Sequence, residues 1–144
     1  MVNIELTRVE GDFGFEAKDS NGHVVRMDSN PSHGGQNFGA RPMQLLLMGL
    51  GGCAGIDIVS ILKKQRQVVE GFDIKIEGER EAGVEPSLWQ TVNVVFELKG
   101  DIDIEKARKA CALSMDKYCS VAATLKQAGA GITWDVRVLE KQAV

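Results

Sequence analysis

The apolar segment from Pro42 to Leu62 constrains this chain most strongly. A run of that length has two homes. One is a bilayer, which takes about 20 consecutive apolar residues. The other is the middle of a folded core, where a helix apolar on every side is covered on every side. Gln44, Asp57, Ser60 and four glycines lie inside the segment, and long polar, strand-like sequence flanks it, so the core is the expected home. Read as a helix from about Met43 to Arg66, with Pro42 in the first position where a missing N–H is harmless, it spans ~36 Å. That is large for one small domain. The expectation is that a second copy of the chain buries part of it.

The segments around this helix read as strands and shorter helices. Val2 to Val9, Phe13 to Lys18 and His23 to Asp28 form an antiparallel meander. Asp19-Ser20-Asn21-Gly22 supplies its second turn, because Asn-Gly adopts the positive φ that hairpins require. A loop rich in Gly, Asn, Ser and His follows, from Ser29 to Arg41. Phe72, Ile74 and Ile76 alternate with polar residues, as do Val92, Val94, Phe96 and Leu98, the pattern of half-buried strands. Asp103 caps a second helix with the apolar stripe Ile104, Ala107, Cys111, Met115 and Tyr118. Ser120 caps a third, which ends at Gly129. Ile132, Trp134, Val136 and Val138 make a last strand. The fold class is α+β, in the order βββ-α-ββ-αα-β, as a single domain over residues 1–144. Gly51-x-x-x-Gly55 either lets two helices approach closely or marks a bend.

Composition excludes some functions. A net charge of −3 and a pI near 5.4, with no long basic run, argue against nucleic-acid binding. Met1-Val2-Asn3-Ile4-Glu5 lacks the basic start and following apolar stretch of a secretory signal. Three cysteines are too few, and odd in number, for a disulfide framework. The expected location is a reducing cytoplasm, where paired cysteines are more often catalytic than structural. His23 and His33 have no spacing to a cysteine that suggests a metal site.

Two of the cysteines stand out. Cys53 lies in Leu50-Gly51-Gly52-Cys53-Ala54-Gly55-Ile56-Asp57, inside the long helix. Cys119 lies in Lys117-Tyr118-Cys119-Ser120-Val121-Ala122-Ala123, at the junction of the second and third helices. A thiol in each of two central segments suggests a redox pair. Cys111, on the apolar stripe of the second helix, reads as core. Asp57 lies one turn beyond Cys53 and, if ionised nearby, would oppose formation of a thiolate.

Three stretches resemble the OsmC/Ohr family: Arg41-Pro42-Met43-Gln44-Leu45-Leu46-Leu47-Met48-Gly49-Leu50-Gly51-Gly52-Cys53, Asp57-Ile58-Val59-Ser60-Ile61-Leu62, and Asp116-Lys117-Tyr118-Cys119-Ser120-Val121-Ala122. The YhfA-like branch is the closest. The resemblance implies an intertwined homodimer around the long helices. It also implies thiol-dependent reduction of organic or fatty acid hydroperoxides, with no metal and no cofactor. The resemblance further implies the peroxidatic role for Cys53 and the resolving role for Cys119. A dithiol, such as a dihydrolipoyl group on another protein, is the reductant.

The family's peroxidases hold the thiolate with a Glu ten positions before the first cysteine and an Arg from the N-terminal region. The first position here is Met43, and Gln44 follows it, so neither supplies a carboxylate. Arg41 is the first choice for the arginine, ahead of Arg26 and Arg8. Leu46, Leu50 and Ile56 are expected to line the apolar substrate site near Cys53. Two alternatives remain open: a small-molecule or lipid-binding module on the same fold, and a redox sensor with little turnover.

Overall fold

The computed structural model describes residues 1–139. Its contacts divide the chain into two compact units, one from Met1 to Leu46 and the other from Leu47 onward.

The first unit is the expected meander: β1 (Glu5–Glu10), β2 (Gly14–Lys18) and β3 (Val24–Met27), each antiparallel to the next. The turn between β2 and β3 is built by Asp19, whose Oδ1 accepts the N–H groups of Asn21 and His23 at 2.9 Å each, while Gly22 takes φ +83°. Buried Asp28 organises the glycine-rich loop. Its carboxylate accepts the backbone N–H of Ser29 at 2.7 Å, Gln36 at 2.9 Å and Phe38 at 3.2 Å. The bond from Gln36 is the largest influence holding this carboxyl below the usual range, and Arg41 adds to it. The loop contains one short 3-10 turn, Pro31–His33. Leu6, Val9, Val24 and Val25 of the meander stay exposed. A three-stranded sheet needs a covered apolar face for independent stability.

Helix α1 (Pro42–Lys64) matches the expected long helix. Its start uses two local devices. Pro42 occupies the first helical position, and the Gln44 side-chain oxygen reaches back to accept the Arg41 N–H at 3.1 Å. This is half of a capping box, with Gln at the third helical position.

In the second unit, β4 (Gly71–Arg80), β5 (Trp89–Lys99) and β6 (Gly131–Leu139) form one sheet in that order. The β4–β5 pair is antiparallel and the β5–β6 pair is parallel. The register aligns apolar side chains on one face: Ile76, Val94 and Trp134 lie across one line, and Ile74, Phe96 and Val136 across the next. The parallel connection carries α2 (Ile104–Leu113), a π-turn (Ser114–Tyr118) and α3 (Ser120–Gln127). The core gathers Leu50, Ala54, Ile58 and Leu62 of α1 with Val92, Val94, Phe96 and Leu98 of β5. Burying each of these large apolar side chains contributes about 1.5–3 kcal/mol.

Within one chain α1 is covered on one side. Leu50, Gly51, Ala54, Ile58 and Leu62 are buried, while Met48, Gly52, Ile56 and Val59 are exposed. Two details differ from the sequence reading. First, Gly51 and Gly55 face the sheet. A Cβ at Gly51 would lie 3.0 Å from Ile76 Cδ1, and one at Gly55 would lie 3.0 Å from Ile74 Cδ1. The small residues therefore admit β4 close to the helix. Second, Ile104 and Tyr118 leave the buried stripe, which is Ala107, Ala110, Cys111, Ser114 and Met115. The π-turn inserts a residue into the helical count and rotates Tyr118 outward.

Candidate functional site

The π-turn delivers one thiol to the other. The N–H of Cys119 donates to the carbonyl of Ser114, five residues back, at 2.7 Å. Cys119 then leaves the helical conformation (φ −73°, ψ 106°) and becomes the N-cap of α3, its sulfur accepting the Ala122 N–H at 3.3 Å. The cap is thus Cys119 and not Ser120, which is the first helical residue. Single π-turns inside helices occur frequently at functional sites.

The sulfurs of Cys53 and Cys119 and a carboxylate oxygen of Asp57 all lie within 4.8 Å of one another. Cys53 and Asp57 share one side of α1 because they are four residues apart. Asp57 is held from the other side by Ser114, whose hydroxyl donates to Oδ2 at 3.0 Å and also approaches the Ala54 carbonyl at 3.5 Å. Ser114 is completely buried, Cys119 is 3% exposed, and Cys53 and Asp57 are half-buried. Among the described residues of this unit, no Lys, Arg or His forms an ion pair with Asp57.

Burial pushes the Cys119 thiol up to about 11. The Ala122 N–H opposes that rise, and neighbouring Cys53 reinforces it. Cys111, fully buried on α2, is pushed up to about 12 by burial alone and reads as core. In this environment Cys119 is a neutral thiol at neutral pH. Cys53 is the more accessible of the two sulfurs in the cluster.

Two openings lie along α1, the first reaching the cluster at Asp57. A cleft of about 570 Å³ is lined by Asp57, Ser60, Lys64, Gln65, Leu113 and Tyr118. A groove of about 730 Å³ runs along α1 and β4, past Gly52, Ile56, Val59, Phe72 and Ile74.

The remaining sequence-predicted positions are dispersed. Leu50 is fully buried in the core, whereas Ile56 is 73% exposed and lines the groove. Leu46 is exposed. The Arg41 guanidinium donates to Asn37 Oδ1 at 3.4 Å and to the Gly39 carbonyl at 3.2 Å. The Gln44 oxygen is committed to the helix cap. Ser114 was missed by sequence reasoning. Its signal is a lone hydroxyl on the apolar stripe of α2, where a buried polar side chain must find a partner.

Comparison with known proteins agrees with this fold. The family model described as OsmC-like protein matches residues 33–135. The Escherichia coli protein YhfA is 38% identical over 121 residues, covering 83% of this chain and 86% of the relative. A solved structure of a hypothetical protein from Aquifex aeolicus shares 30% identity, with a TM-score of 0.78 over 97% of this chain and 98% of its own. The organic hydroperoxide resistance protein OhrB of Bacillus subtilis has the same fold at 14% identity, with a TM-score of 0.65 over 95% of this chain and 98% of its own.

Proposed function

The chain belongs to the OsmC-like family, and from that premise we propose that it reduces organic or fatty acid hydroperoxides through Cys53 and Cys119. The observation that carries this reading is the approach of the two sulfurs to within 4.8 Å, although they come from distant segments. No backbone rearrangement is needed to convert a contact of that kind into a disulfide when the Cα separation suits.

Cys53 takes the peroxidatic role because it is the more open sulfur. Its thiolate attacks the terminal oxygen of ROOH; an S–O bond forms as the O–O bond breaks, Cys53 becomes a sulfenic acid, and the alkoxide takes a proton from solvent and leaves as ROH. The Cys119 sulfur attacks that sulfenic sulfur, an S–S bond forms and water leaves. An external dithiol then reduces the disulfide. A dihydrolipoyl group on a partner protein fits this last step. Cys53 and Cys119 supply the peroxide-reducing half of this cycle, and the external dithiol supplies the other half.

The exposed apolar side of α1, at Met48, Ile56 and Val59, is covered in this reading by a second copy of the chain in a homodimer. Arg41 remains the choice for the activating cation, and Leu46 and Ile56 for apolar contacts to the substrate, whereas Leu50 is packed in the core and is closed to it. The location is cytoplasmic. Helix α1 is long and apolar enough to cross a membrane by length and composition. Its buried stripe in the core and the family membership favour the dimer instead.

Two observations favour a second reading. Gln44 is used as a helix cap and Cys119 is held as a neutral thiol, so a thiol-bearing binding module or redox sensor with little turnover also fits. Steady-state assay separates these readings. Cumene hydroperoxide should be consumed over many cycles with a dithiol, and Cys53→Ser should abolish consumption. Turnover unaltered in Cys53→Ser would overturn the proposal.

A further inference from the structure

The cluster at Cys53, Asp57 and Cys119 has a composition that the redox cycle does not explain. A disulfide-forming pair has no need of a carboxylate beside its sulfurs. Yet Asp57 is not turned aside. Ser114, completely buried, fixes one carboxylate oxygen at 3.0 Å, and an oxygen of that carboxylate lies within 4.8 Å of both sulfurs. In the same unit no described cation pairs with it.

We infer that the reduced site binds a thiophilic divalent cation, with Zn²⁺ as the type, through Cys53 Sγ, Cys119 Sγ and a carboxylate oxygen of Asp57. Two thiolates and a carboxylate are a ligand set that zinc accepts, at about 2.3 Å to sulfur and 2.0–2.2 Å to oxygen. Tetrahedral geometry at those lengths places the ligand atoms about 3.5–3.8 Å apart. The cluster therefore has to contract by roughly 1 Å, a side-chain adjustment. The fourth position stays open, to water or a small ligand, in the manner of a three-ligand site.

The outer groups fit the same purpose. Metal-ligating carboxylates are themselves hydrogen-bonded, and Ser114 does this for Asp57. The Ala122 N–H, aimed at the Cys119 sulfur at 3.3 Å, stabilises a thiolate there. On binding, each thiol gives its proton to solvent, so about two protons are released per metal. The cation replaces the positive charge that the cluster lacks. Metal and disulfide are mutually exclusive, because both use the same sulfur electrons. Occupancy thus withholds the thiols from oxidation. The inference requires only reduced cysteines and is independent of peroxidase turnover.

The test is a titration of the whole reduced chain, without oxygen, with Zn²⁺ against a chromophoric chelator, and with Co²⁺ as a spectroscopic probe. The expected result is one equivalent bound, with thiolate-to-cobalt charge-transfer absorption. Ser114→Ala should weaken binding about 10- to 100-fold, and Asp57→Asn at least as much. Cys111→Ala should bind as the unaltered chain does. The unaltered chain oxidised with diamide to the Cys53–Cys119 disulfide should bind none, a control that changes no residue. Absence of thiolate-to-cobalt absorption, or equal affinity in Asp57→Asn, would overturn the site. Peroxide is absent throughout, so a chain that fails as a peroxidase can still pass, and the reverse.

Discussion

Cys119 caps the helix that begins after it, its sulfur accepting the Ala122 N–H at 3.3 Å. One atom is thus both a structural acceptor and the partner of the Cys53 thiol. The two roles separate on mutation. Ser is among the favoured N-caps, so Cys119→Ser should keep the fold, whereas Cys119→Ala should be about 0.5–2 kcal/mol less stable than the serine variant by urea denaturation. Cys119→Ser should also leave a sulfenic acid on Cys53 after peroxide treatment, trapped as a dimedone adduct.

Buried thiols make stability fall in alkali. Cys119 is raised to about 11 and Cys111 to about 12 in the folded chain, against an unfolded value of about 8.5. The contribution from keeping them neutral is fully present below the unfolded value. It is lost as pH rises through the folded values, because the unfolded chain then holds fewer protons. The midpoint of urea unfolding, measured on the reduced chain, should be flat near neutral pH and decline from about pH 8.5 upward. Cys111→Ala should flatten part of that decline.

Asp28 predicts the opposite pH response in the first unit. Its carboxyl is held below the usual range by backbone N–H groups, that of Gln36 foremost. The stabilisation is present above the unfolded value of about 3.9 and is lost as pH falls through the lowered folded value. Asp28→Asn removes one of the two acceptor oxygens. Amide hydrogen exchange at Gln36, Phe38 and Ser29 should accelerate in that variant at neutral pH, with β4–β6 amides unchanged.

Ile56 tests the dimer. It is 73% exposed in the middle of an apolar helix, so in this reading it lies under the second copy. Ile56→Glu should convert a dimer to a monomer in light scattering at micromolar concentration. An unaltered chain that is already monomeric would end the dimer proposal.

Much of the fold was legible from periodicity. The alternation of Val92, Val94, Phe96 and Leu98 and the Asn-Gly turn at Gly22 each marked the right element. Local rules also placed Pro42 and Asp103 at helix starts. What eluded the sequence was phase and pairing. A π-turn carries no pattern of its own, so periodicity alone continues the stripe of α2 to Tyr118 and points to Ser120 as the cap. The parallel pairing of β5 with β6 depends on contacts between distant segments. The cysteine pair was legible, but Ser114 became visible only once the turn had brought it to Asp57.

The central claim is that Cys53 and Cys119 react as a pair. The most direct measurement is to treat the reduced chain with one equivalent of cumene hydroperoxide, quench within seconds and map the thiols by mass spectrometry. The expected product is a Cys53–Cys119 disulfide with Cys111 free. Recovery of Cys53 and Cys119 as unreacted thiols would contradict it.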